Sequence, residues 1–169
     1  MENATRALLI AAGVLMGVLI LTLGISLFTS LNQYTTQTQQ TMEENANFKF
    51  NNQFSKHINY YGEKARPKES EVGTPLTIQD IVTVANTAYQ NNFEHNITAE
   101  DYNSDFSANQ LYVQVNLGQN KHLEKNINNN AEAILSENKG KKYFCSAEDV
   151  IYSNVTGRIY MITFKELTE

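Results

Sequence analysis

Asp101, Asn103, Asp105 and Ser107 put four oxygen-bearing side chains at alternate positions. This is the opening pattern of a calcium loop, in which carboxylate, amide and hydroxyl oxygens converge on a hard cation. The full loop also requires glycine at its sixth position and a bidentate glutamate at its twelfth. Phe106 and Tyr112 stand there instead, so the stretch reads as a solvated acidic turn. The three histidines, His57, His95 and His122, are scattered, and with no His-x-x-x-His or Cys-x-x-Cys pair they indicate no zinc site. Cys145 is the only cysteine, which excludes an intramolecular disulfide framework. Beside Phe144 in an apolar stretch, it reads as a small buried hydrophobe rather than a nucleophile. No Gly-x-Ser-x-Gly, phosphate loop or Ser-x-x-Lys occurs. The residues therefore imply no cofactor, no metal and no catalytic apparatus.

The spacing with the sharpest physical meaning is that of Gly13, Gly17 and Gly24, four and seven residues apart on one helical face. Small residues on one stripe let helix backbones approach closely in lipid. The plainer reading is that glycine is common in membrane spans. These glycines lie in Ala7 to Leu31, a run without a charged residue or a proline. As a helix it extends about 37 Å, more than the roughly 30 Å of a bilayer's hydrocarbon core. The run is longer than a signal peptide's apolar region, and Ser26 to Leu31 offers no Ala-x-Ala exit, so it is expected to remain as an anchor. Arg6 precedes the span, and the first cation after it is Lys49. The positive-inside rule then predicts a single-pass protein of the cell membrane, with its N-terminus cytoplasmic and residues 32–169 outside. The outer part carries the whole net charge of −5, because Glu2 and Arg6 cancel. Such an acidic surface argues against nucleic acid as a partner.

Three regions follow: residues 1–31 as cytoplasmic tip and transmembrane helix, 32–75 as polar stalk and connecting loop, and 76–169 as an α+β head. Asn32 to Thr41 is almost wholly Asn, Gln, Thr and Tyr. It is compatible with a continued helix or with an extended tether. Phe50, Phe54, Ile58 and Tyr61 fall on one helical face, while Phe48-x-Phe50 alternates as a strand would, so both states stay open for residues 46–61. Either way these aromatic residues are expected to seal onto the head's core. Gly62 to Pro75 reads as a loop.

In the head, Thr77 followed by Asp80 is a capping-box variant that starts a helix over residues 78–92. Residues 94–109 read as a polar connection. Leu111 to Leu117 alternates as a half-buried strand ended by Gly118, and Leu123, Ile127, Ala131, Ile134 and Leu135 indicate a second helix. Tyr143 to Tyr152 and Arg158 to Phe164 flank the turn Asn154-Val155-Thr156-Gly157 and form a C-terminal hairpin. The expected head has two helices and a mostly antiparallel sheet, with Val113, Val115, Ile151, Ile159 and Met161 as candidates for one core.

An apolar N-terminal helix that anchors and projects, followed by a small α+β head, resembles type IV pilins and their relatives. The segment Phe50-Asn51-Asn52-Gln53-Phe54, Tyr61-Gly62 and the helix from Thr77 are also similar to a group of small single-span, pilin-like proteins of low-GC Gram-positive bacteria. The pilins' acidic residue a few positions into the span has no counterpart here. The resemblance implies a structural surface protein, a pilin-like subunit or accessory of a cell-envelope assembly. Its expected partners are the lipid bilayer, copies of itself and other assembly proteins. A monomeric surface-anchored binding module and, third, a membrane-tethered enzyme are the alternatives.

Overall fold

Helix α1 runs from Glu2 to Ser55 without a break. No proline interrupts it, and its hydroxylated residues return their side chains to the helix. Thr35, Thr36 and Thr41 donate to the carbonyls of Leu31, Asn32 and Gln37 at 2.9 Å. The polar stretch 32–41 is therefore helix, not extended tether, and so is the segment 46–55. The computed structural model describes residues 2–97, 111–120 and 122–167. Two compact units divide the chain, Met1–Ala46 and Asn47–Glu169. In the first unit every described residue is helical and exposed.

The second unit begins with the last turns of α1 and is α+β. It continues with α2 (Ile78–Glu94), β1 (Gln114–Leu117), α3 (Leu123–Glu137), β2 (Tyr143–Phe144), β3 (Val150–Tyr152) and β4 (Ile159–Glu166). The expected count of two helices in the head needs correction. Besides α2 and α3, the described residues of this unit include the end of α1 and two 3-10 turns, Glu69–Glu71 and Ala147–Asp149.

Helix α2 starts where Thr77 and Asp80 predict. The Thr77 N–H donates to Asp80 at 2.8 Å, and the Asp80 N–H donates back to the Thr77 hydroxyl at 3.4 Å. Its face Ile78, Ile81, Val82, Ala85 and Ala88 is buried. With Phe54, Val113, Val115, Ile127, Ile162 and Phe164, this face makes the main core.

Strand β4 is the hub of the sheet. It pairs in parallel with β1, Gln114 opposite Met161 through Leu117 opposite Phe164. Its antiparallel partners are β2, with Tyr143 opposite Glu166, and β3, with Val150 opposite Ile162. The sheet is mixed, which corrects the mostly antiparallel expectation. A parallel pair needs a connection longer than a hairpin, and α3, β2 and β3 all intervene between β1 and β4. The hairpin of β3 and β4 is present, and Gly157 takes the left-handed φ of +68° that its turn requires.

The candidate core set is only partly correct. Val113, Val115 and Ile159 are buried, but Ile151 is 40% exposed and Met161 half-buried. The cause is a bulge. Ile151 opposes Met161 while Tyr152 opposes Ile159, leaving Tyr160 as an extra residue. One extra residue reverses the in–out alternation. Ile162 and Phe164, rather than Met161, then face the core.

The end of α1 is tied to this hairpin. Asn47 donates to the Thr156 carbonyl at 2.8 Å, and Asn51 donates to the Gly157 carbonyl and accepts from the Ile159 N–H, each at 2.8 Å. The Arg158 guanidinium lies 3.8 Å from the centre of the Phe50 ring, a cation–π contact. Of the four aromatic-stripe residues, Phe54 is buried and Phe50 and Ile58 pack against the core. Tyr61 is 82% exposed, against expectation, and its neighbour Tyr60 is buried instead.

Candidate functional site

In the first unit, the functional candidates are the apolar run and its glycines. Glu2–Ser55 contains the one described helix long and apolar enough to cross a membrane. A Cβ added at Gly13, Gly17 or Gly24 would meet nothing within 4 Å. The glycines therefore serve no close packing inside this chain, and their stripe is open.

The described titratable residues of the second unit are spread over several elements. Asp101, Asn103, Asp105 and Ser107 lie outside the described residues, and among the described residues no group of three or more His, Cys, Asp or Glu could hold a metal. The histidines sit on separate elements. His57 follows α1 in the loop and is half-buried. Its proton affinity is lowered by burial and by the Lys56 charge, with Asp80 opposing. His95 caps the end of α2, its Nδ1 2.9 Å from the Asn91 carbonyl. His122 takes the N-cap of α3 in a left-handed conformation with φ of 60°. Cys145 is fully buried, and burial, reinforced by the Asp149 charge, pushes its thiol up to about 12. It is inert as a nucleophile at neutral pH.

One cluster was missed from the sequence. Glu124, in the first turn of α3, is fully buried. Its Oε2 accepts from the Val115 N–H at 2.8 Å, and its Oε1 accepts from the Tyr112 hydroxyl and lies 3.2 Å from His122 Nδ1. Asn92 of α2 works beside it, accepting from the Val113 N–H at 2.8 Å and donating to the Val113 carbonyl at 2.9 Å. Together the two side chains bond the edge at Val113 and Val115 that faces away from β4, where no described strand pairs. The helix dipole favours the Glu124 carboxylate at this terminus. The available signal was a carboxylate in the first turn of a helix just after a strand, but it has no distinctive spacing.

The second feature missed is a cleft of about 1050 Å³ built by the loop between α1 and α2. Its lining includes Lys56, Tyr61 and Glu63 from the start of the loop and Gly73, Pro75 and Leu76 from its end. Asn59 ties the two ends of the loop to each other and to the strand region. Its side chain donates to the Thr74 carbonyl and accepts from the Cys145 N–H, each at 2.9 Å. The Lys64 N–H donates to the buried Tyr60 hydroxyl at 3.0 Å, and the Lys64 ammonium pairs with Glu71. That pairing raises the Lys64 pKa and lowers that of Glu71. At Gly62 an added Cβ would lie 2.3 Å from the Tyr60 hydroxyl oxygen, so glycine alone allows this approach. No protein-family model, no curated protein and no solved structure matches the chain.

Proposed function

We propose that this chain is a membrane-anchored extracytoplasmic structural protein, a pilin-like subunit or accessory of a cell-envelope assembly. The observation that carries the reading is the uncharged, fully exposed helical run Ala7–Leu31. Outside lipid, so much apolar surface would drive aggregation. The Arg6 and Lys49 asymmetry supports an N-terminus inside and a head outside. Self-association through the span is supported by the open glycine stripe, since helices in lipid associate by close packing rather than by hydrophobic reward.

Crosslinking between labelled spans in bilayers tests the reading. Gly13→Ile with Gly17→Ile is expected to lower self-association while insertion persists, because isoleucine is favourable in the bilayer core. A monomeric parent span, or equal association of the double variant, would remove assembly as the function. The second reading, a monomeric binding module, would then take its place, favoured by the ordered cleft of the head.

A further inference from the structure

The chain between Ser55 and Ile78 has no regular structure beyond one 3-10 turn. Connections of that length in compact units are uncommon and are usually functional where they are ordered. This one is ordered by its own bonds. Asn59 bridges two strands of irregular backbone, Tyr60 fixes Lys64, and the Glu71 carboxylate also accepts from the Lys68 N–H at 3.0 Å. The loop also buries Tyr60 and Val72 against Phe144 as a small second core, and beside it these bonds shape the cleft. Its volume of about 1050 Å³ lies just above the usual span of small-molecule sites, roughly 300–1,000 Å³.

We infer that this cleft binds a neutral, polyhydroxylated ligand, a glycan chain, with Tyr61 as its stacking platform. Charge excludes strongly ionic ligands. Lys56 and Lys64 face Glu63, Glu71 and Asp80 around the cleft, a near balance. Lys64 and Glu71 neutralise each other, and Asp80 is engaged by Thr77. A polyanion or polycation would find no matching field. What remains is a lining of mixed character. Ile58, Pro75 and Leu76 contribute apolar groups, and Asn59, Glu63 and Thr74 hydrogen-bonding ones. Sugar rings have the same character, with C–H faces for an aromatic ring and hydroxyl edges for amides and carboxylates. Tyr61, at 82% exposed, presents a phenol ring that the fold itself does not use. The inference goes beyond the assembly reading and stands whether or not the spans associate.

Calorimetry on the full-length chain in nanodiscs tests it with four probes. Two are neutral, a β-1,4-linked N-acetylglucosamine tetramer and maltotetraose, and two are charged, tetragalacturonate and tetralysine. At least one neutral tetramer is expected to bind below about 1 mM, with Tyr61→Ala weakening it at least about tenfold and Tyr61→Phe retaining it. Because Tyr61 is exposed, the variants should keep the parent's thermal midpoint, and backbone NMR shifts at Tyr61 and Gly73 on titration provide a readout independent of them. Failure of both neutral probes at millimolar concentration, undiminished binding by Tyr61→Ala, or preference for a charged probe would overturn the assignment. Loss of span crosslinking would leave it standing.

Discussion

Glu124 and Asn92 show how much of the head depends on single polar side chains. Glu124 satisfies a backbone N–H of β1 and Asn92 the backbone groups of Val113 just before it, which no described strand reaches. Truncating either to alanine would bury an unpaired N–H, so Glu124→Ala and Asn92→Ala are each expected to cost about 1–3 kcal/mol. The loss should be read as a lower denaturant midpoint at unchanged slope. His57 gives the head a pH dependence. Burial, and then the Lys56 charge, lower its proton affinity in the folded state, against Asp80. The unfolded chain therefore binds the proton first, and stability should fall as pH drops below about 6.5. Thermal midpoints between about pH 7 and 5 should decline for the parent and flatten for His57→Gln. At this scale the sequence was informative about chemistry of type and poor about chemistry of place. The burial of Cys145 beside Phe144 could be read directly. The role of Glu124 could not, because it depends on which backbone groups of a distant strand lack partners.

Among the elements, the legible ones were those fixed locally. Thr77 with Asp80 sets the start of α2, and the turn ending in Gly157 sets the hairpin. Non-local decisions were not legible. The parallel pairing of β1 with β4 joins residues far apart in sequence, and the extra residue at Tyr160 leaves no compositional mark. The bulge makes a sharp prediction. Ile162→Ala should cost about 2–5 kcal/mol, while Ile151→Ala on the half-open face should cost well under half as much. Equal costs in urea unfolding would mean that the strand alternates without the bulge. The cleft, likewise, was invisible because Gly62 to Pro75 has the composition of any loop. Its order arises from contacts made by Asn59 and Tyr60 with β2 and its flanks.

For the molecule as a whole, the apolar run was the most legible feature, since length and lack of charge are properties of sequence itself. The architecture of the head adds a different constraint. Among the described residues every strand pairing of the sheet runs through β4, the last described strand in chain order, and β1, β2 and β3 do not pair with one another. A chain ending at Arg158 is therefore expected to lack the sheet and to show no cooperative melting transition by circular dichroism. The same dependence governs biosynthesis. While a ribosome is still adding residues before Ile159, the emerging head has helices but no strand on which to assemble a sheet, and pairings of such long sequence separation form slowly. Until β4 emerges, β1, β2 and β3 have no described strand to pair with. Late placement of the central strand thus postpones closure of the head until β4 has emerged.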